Sequence, residues 1–226
     1  MIERALILAA GRGERMRPLT DVTPKPLLRV GGRRLIEWHL EKLAASGVRE
    51  VVINTSHLAE QFPAALGDGS RWNLRIHYSY EGPQPLETGG GMKRALPLLG
   101  TKPFIAVSAD IFSECDYARL PAEPEGLAHL VMVPNPDFLP RGDFWLERGR
   151  LNLDGAGERL TFGNIGVYRP ELVADASADR FKLLPHYERA MGMGQLAGER
   201  FDGFWRNLGT PAQLAELGTR LGGTVK

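Results

Sequence analysis

The chain has 226 residues, of which 43% are hydrophobic and 24% charged, with a net charge of +1. That balance suits a globular protein with a sizeable core and excludes a global field that would recruit nucleic acid or an anionic membrane, so any anion site must be local. Cys115 is the one cysteine, which rules out an intrachain disulfide or a cysteine-based zinc cluster and fits a reducing compartment.

From the N-terminus, MIERALILAAG carries an apolar run too short for a signal-peptide core, followed by Gly and Arg instead of a cleavage pattern. No stretch nears the roughly 18 apolar residues of a membrane span. The expectation is a cytoplasmic protein. Ala5–Ala9 reads as a buried parallel strand ended by Gly11, and Leu35–Ser46 has helical apolar spacing with Gly47 as its stop. A strand at Glu50–Asn54, a helix at His57–Leu66 and a strand at Arg75–Tyr80 follow. GGGMKRALPLL then opens a helix, and FIAVSAD is a strand ending on Asp110. This β-α-β-α-β-α-β order predicts an α/β fold: an open, mostly parallel, Rossmann-like sheet flanked by helices. The second half is more β-like, with HLVMVP, FWLERGRL and RLTFGNIGVY as strands and Phe181–Met191 and Pro211–Leu221 as helices. It reads as a smaller β-rich lobe of a single domain spanning residues 1–226. Nothing in the sequence fixes an oligomeric state.

Ligands of such sheets sit outside the carboxyl ends of the strands, which directs attention to Gly11–Lys25, Thr55–His57, Gly82–Gly91 and Asp110–Asp116. The first of these, GRGERMRPLTDVTPK, concentrates cations on a kinked loop. It lacks the GxxxxGK[ST] of a P-loop, and Met16 stands where a dinucleotide fingerprint needs its third glycine. What remains is a loop built to approach a polyphosphate. Gly11 and Gly13 let the backbone turn and present N–H groups, Arg15 can fork two phosphate oxygens, and Lys25 supplies a point charge. Pro24 and Pro26 bracket Lys25 and hold it in place in advance.

Together LAAGRGERMRPLT…TPKPLL, PLETGGG at 85–91, VSAD at 107–110 and WRNLGT at 205–210 resemble the signature of the sugar-1-phosphate nucleotidyltransferases, over essentially the whole chain. The short length and the ETGGG spelling are most similar to the N-acetylmuramate-1-phosphate uridylyltransferases of bacterial cell-wall recycling. The resemblance implies a reaction between a nucleoside triphosphate and a sugar 1-phosphate that gives nucleotide-sugar and pyrophosphate. It implies UTP with N-acetylmuramate 1-phosphate first, and mannose or glucose 1-phosphate with GTP or dTTP as the alternative. The attacking phosphate oxygen is already ionised at neutral pH, which agrees with the absence of a Ser/His/Asp or Cys/His constellation.

By the same resemblance Arg15 holds the β- and γ-phosphates and Lys25 bridges the α-phosphate and the sugar phosphate. Leu8, Ala10, Gly11 and Gly13 contact the nucleoside. Gly89 and Gly90 let a second backbone segment approach it, unless they form only a helix-entry turn, and Glu87 either reaches the nucleoside or caps that helix. Ser108, Gly142, Asp143 and Asn164 fall at substrate positions. Asp110 and Asn207 fall at the metal positions, for which Mg²⁺ is the expected cofactor.

Two positions depart from the family pattern. Asn207 stands where W-x-D-x-G-T supplies a second metal-binding aspartate, keeping a carbonyl oxygen but losing a unit charge. Ser108 stands where asparagine is common in the uridylyltransferase group. A nucleotide-sugar-binding protein that no longer turns over is therefore a third reading, and Asp202 is a candidate to restore the lost charge. The five histidines show no metal-ligand spacing and are expected to be structural, with His57 a candidate for the cleft wall.

Overall fold

The run RALIL forms β1 (Arg4–Leu8), whose side chains alternate between two cores: Ala5 and Ile7 on one face of the sheet, Leu6 on the other. A strand covered on both faces has no polar side, which is why it reads as an unbroken apolar run. The structure is a computed structural model that describes residues 1–222. A short hairpin of β2 (Arg29–Val30) and β3 (Arg33–Arg34) leads into α1 (Leu35–Ala45), which lays Ile36, Leu40 and Leu43 on the first core. β4 (Glu50–Thr55) pairs in parallel with β1, α2 (Gln61–Leu66) adds Phe62 and Leu66 to the same core, and β5 (Arg75–Tyr80) pairs in parallel with β4. α3 (Glu87–Leu99) covers the opposite face through Met92, Ala95 and Leu99, and β6 (Phe104–Ser108) pairs in parallel with the other edge of β1. Leu8 stands opposite both Asn54 and Ser108, and Asn54 opposite Ser79. The four parallel strands thus end level, and their following loops leave from one edge.

After β7 (Ile111–Ser113), the strands β8 (Ala128–Val133), β9 (Phe144–Glu147), β10 (Arg150–Asn152), β11 (Glu158–Tyr168) and β12 (Leu196–Arg200) extend the same sheet. β11 joins the halves, running antiparallel to β6 and to β8. β9 pairs back onto Glu158–Leu160 of β11, so the five strands β8 to β12 close in a barrel-like ring. The β-rich lobe is therefore continuous with the parallel sheet. α4 (Leu184–Gly192) packs Tyr187, Ala190 and Met191 on the second core. β13 (Trp205–Asn207) pairs antiparallel with β7, and α5 (Pro211–Arg220) sets Leu214 and Leu217 against Met16, Phe112 and Leu208. That third core ties the end of the chain to the basic loop.

Four local expectations shift. The helix expected over His57–Leu66 starts only at Gln61, because Leu58 adopts a left-handed backbone (φ 50°) and closes a turn with the Gln61 N–H. FWLERGRL is a hairpin, β9 and β10, turning at Arg148 and Gly149 with φ of 49° and 78°, the doubly positive pair of a two-residue turn. The helix expected from Phe181 starts at Leu184, because the Phe181 N–H donates to the Leu86 carbonyl at 3.2 Å. The glycine-opened helix begins earlier, at Glu87.

Candidate active site

A cavity of about 870 Å³ opens at the level carboxyl ends of β1, β4, β5 and β6. Leu8, Ala10, Gly11, Gly13, Arg15, Lys25, Glu87, Ser108 and Asp110, from four separate sequence segments, all line it. Gly13 takes a left-handed backbone (φ 63°) at the start of a tight turn over Glu14–Met16, and Met16 anchors that turn in the third core. Thr20 Oγ1 donates to the Gly13 carbonyl at 2.9 Å, and His57 Nε2 donates to the Thr20 carbonyl at 2.9 Å. His57 thus braces the basic loop from behind and does not line the cavity. A Cβ at Gly11 would meet nothing within 4 Å, so the free space there faces the cavity and is available to a ligand.

Lys25 opens a turn between Pro24 and Pro26 and is buried, with only 8% of its side chain exposed. Its Nζ lies 2.9 Å from Asp110 Oδ2, whose side chain is 38% exposed. Asp110 is fixed from two sides. Its carbonyl accepts the Leu208 N–H at 2.9 Å, and the next carbonyl, Ile111, accepts His39 Nε2–H at 2.9 Å. His39 Nδ1 faces the Tyr117 hydroxyl at 2.9 Å, and complete burial pushes the imidazole down to about 4. A neutral ring with one donor and one acceptor satisfies both neighbours. His39 is a structural brace for the Asp110 turn.

The other cations at the cavity are Arg12, Arg15 and Arg180. Arg15 lies against Gly209, where a Cβ would come within 2.8 Å of the guanidinium; WRNLGT and the basic loop meet there. Arg180 pairs with Glu87 at 3.3 Å, while Arg12 donates to the Pro83 carbonyl. Arg12 and Arg15 have no carboxylate partner among the described residues. Guanidiniums that face a cavity and lack a counter-charge suit an anionic ligand.

Gly89 and Gly90 do not line the cavity. Both N–H groups donate to the Phe181 carbonyl, at 2.9 and 3.1 Å. A Cβ on Gly89 would overlap the Phe181 ring, and one on Gly90 would overlap the Asp179 carbonyl oxygen. Their small size lets the 179–181 segment lie on the first turn of α3, at the helix entry. Glu87, in a left-handed backbone (φ 65°), directs its carboxylate to Arg180 at the wall.

The remaining candidates lie around a second cavity of about 330 Å³, lined by Asp143, Asn164 and Asn207 with Phe138, Leu184 and Trp205 among its walls. Asn164 takes a left-handed backbone (φ 57°) where the β8–β11 register shifts, a conformation asparagine tolerates. Asp143 Oδ2 accepts the Phe162 N–H at 2.8 Å. Gly142 lies outside the lining, packed on Asn135 and the Leu160 carbonyl. Asn207 Oδ1 is buried without a hydrogen-bond partner. Asp202 is spent on Arg200 at 2.7 Å and lines neither cavity, so it does not restore a charge near Asn207.

Among the described residues no group of three or more His, Cys, Asp or Glu could hold a metal, and no helix is long and apolar enough to cross a membrane. Sequence reasoning missed Asn54, Glu81 and Arg180 at the main cavity. The only signal for the first two is a polar residue near the end of a strand, Asn54 one before the last residue of EVVINT and Glu81 directly after RIHYSY.

Residues 4–132 match the Nucleotidyl transferase family. The chain is 45% identical to the N-acetylmuramate alpha-1-phosphate uridylyltransferase of Neisseria meningitidis serogroup B, over 94% of this chain and 96% of that one. It is 37% identical to the Caulobacter vibrioides enzyme of the same name, over 93% and 94%. In fold it is similar to HddC from Yersinia pseudotuberculosis, solved with GMP-PN, with a TM-score of 0.79 at 19% identity over 97% of this chain and 99% of that one. The chain therefore belongs to the nucleotidyl transferases, and among them to those acting on sugar 1-phosphates.

Proposed function

We propose that this protein transfers UMP from UTP to N-acetylmuramate 1-phosphate, releasing pyrophosphate, with Mg²⁺, in the cytoplasm, in the service of cell-wall recycling. The observation that carries the reading is one cavity in which buried Lys25, paired with Asp110, faces the uncompensated guanidiniums of Arg12 and Arg15, in a chain nearly half identical to an enzyme named for that reaction. An oxygen of the sugar phosphate attacks the α-phosphorus, and the bond to the β-phosphate oxygen breaks. No proton has to move, so the protein's task is to align two anions and offset their repulsion, several kcal/mol at an effective dielectric of about 20. Lys25, immobilised between two prolines, is available to the α-phosphate and the incoming phosphate. Arg15 takes the departing pyrophosphate, and Arg12 and Arg180 draw the anions in.

The residues fit Mg²⁺. Asp110 offers a carboxylate, and the buried, unpartnered Oδ1 of Asn207 is a second hard oxygen. Bound there, the ion would neutralise phosphate charge and take the rest of its shell from phosphates and water. With one carboxylate in place of two, its hold depends on the nucleotide more than in a two-aspartate site. Asp143, Asn164 and the apolar walls of the second cavity form the sugar side.

Transfer to another sugar phosphate is the second reading, because a mannose-1-phosphate guanyltransferase of Aspergillus fumigatus is 30% identical over 92% of this chain and 61% of its own. Pyrophosphate release from four nucleoside triphosphates against N-acetylmuramate, mannose and glucose 1-phosphates separates the readings. The fastest turnover is expected for UTP with N-acetylmuramate 1-phosphate. Faster turnover of GTP with mannose 1-phosphate would establish the second reading, and nucleotide binding without release from any pair would leave a non-catalytic binder.

A further inference from the structure

Two buried polar side chains line the main cavity without a role in the chemistry above: Asn54, 2% exposed at the end of β4, and Glu81, 6% exposed just past β5. They form one directional bridge. The Ala9 N–H donates to Asn54 Oδ1 at 2.5 Å, Asn54 Nδ2 donates to Glu81 Oε1 at 2.6 Å, and the Leu86 N–H donates to Glu81 Oε2 at 2.7 Å. The backbone groups at both ends can only donate. Asn54 must therefore turn its oxygen to Ala9 and its amide to Glu81, and Glu81 accepts on both oxygens, the pattern an ionised carboxylate serves best.

That arrangement opposes two other tendencies. Burial raises the Glu81 carboxyl above its usual range, and a buried anion repels a triphosphate in the same cavity. The fold nevertheless makes room for it: a Cβ on Gly91 would overlap both Glu81 Oε1 and Asn54 Nδ2. The third glycine of ETGGG is thereby accounted for. What the bridge joins is the backbone entering the basic loop, at Ala9, and the 82–86 loop on the opposite wall.

We propose that Asn54 and Glu81 are positioning residues, a polar bridge that sets the spacing between the Ala9–Gly13 backbone and the 82–86 loop so that the cavity admits the nucleoside of its triphosphate. This rests on the reading of the cavity as the nucleotide site. The pattern predicts a rescue. Glu81→Gln presents an N–H to a donor, either Asn54 Nδ2 or Leu86 N–H, and Asn54→Asp presses two carboxylates together. In the double variant the carboxylate introduced at position 54 accepts from Ala9 and from the amide introduced at position 81. The oxygen of that amide accepts from Leu86, so every donor again has an acceptor.

The test is calorimetric titration of the full chain with UTP, with KM and kcat measured for both substrates and a thermal midpoint for each variant. Each single variant is expected to weaken UTP binding and raise its KM by about tenfold or more. Its KM for the sugar phosphate should stay near the wild-type value. The double variant should return to within about threefold of wild type. If a single variant does not fold, recovery of the folded state and of UTP binding by the second substitution is the same rescue. A double variant no better than the weaker single would overturn the bridge and point to direct contact of Glu81 with the ligand. A wild-type chain that binds no UTP would instead overturn the nucleotide reading, and the bridge's role with it.

Discussion

Replacing Lys25 by methionine removes one ammonium while keeping most of the side-chain volume, at a position 8% exposed and 2.9 Å from Asp110. A unit charge about 4 Å from a phosphate oxygen is worth about 4 kcal/mol at an effective dielectric of about 20. The same substitution strips Asp110 of its counter-charge, so the carboxylate adds to the repulsion between the two substrates. If the attraction is realised mainly as charge redistributes in the transition state, kcat falls by about a thousandfold. The fold should survive, because Asp110 is 38% exposed and water can replace its partner; the pair's contribution to stability is on the order of 1 kcal/mol or less. Pyrophosphate release at saturating substrates and Mg²⁺, alongside thermal denaturation, reads both effects. A Lys25→Met protein that is folded and turns over within about threefold of wild type would refute the role given to that lysine.

Gly90→Ala pushes a methyl group into the Asp179 carbonyl, so it should cost about 1–3 kcal/mol, seen as a lower thermal midpoint; an unchanged midpoint would contradict the packing role. The His39 imidazole, pushed down from 6.5 to about 4, binds its proton more readily in the unfolded chain. Stability is therefore lost as pH falls from about 6.5 towards about 4, by about 3 kcal/mol in all. In NMR the His39 ring should show no titration between pH 8 and 5, and a midpoint near 6.5 would be the contrary result. Asn207→Asp adds a carboxylate on β13, where residue 207 pairs with Ile111, the neighbour of Asp110, and should lower the Mg²⁺ concentration for half-maximal rate by about tenfold. An unchanged Mg²⁺ curve would place residue 207 outside the metal shell.

Much of the parallel half was legible because its physical cause is local. RALIL is apolar throughout because both faces of β1 are buried, and Ile36, Leu40 and Leu43 recur at helical spacing because α1 buries one stripe. The rule that loops leave the carboxyl ends of parallel strands pointed to three segments that converge on the cavity, Gly11–Lys25, Gly82–Gly91 and Asp110–Asp116, and to one, Thr55–His57, that stays outside its lining. What stayed hidden depends on partners distant in sequence. Arg180 meets Glu87 across 93 residues, and Asn54 and Glu81 acquire meaning only when β4 and β5 lie side by side. Gly89 and Gly90 illustrate a different limit: a glycine needed for a ligand and one needed for a packed segment look alike until the segment, here 179–181, is in place. The hairpin turn at Arg148 and Gly149 escaped because the first of its two left-handed residues is an arginine, not the asparagine, aspartate or glycine that usually marks such a turn.

The most direct test of the function is mass-spectrometric analysis of the product from UTP, N-acetylmuramate 1-phosphate and Mg²⁺, run in parallel with the wild-type and Lys25→Met proteins. UDP-N-acetylmuramate formed with the wild-type protein and nearly absent with the variant is the predicted outcome. UTP left intact by the wild-type protein, or equal product from both proteins, would contradict it.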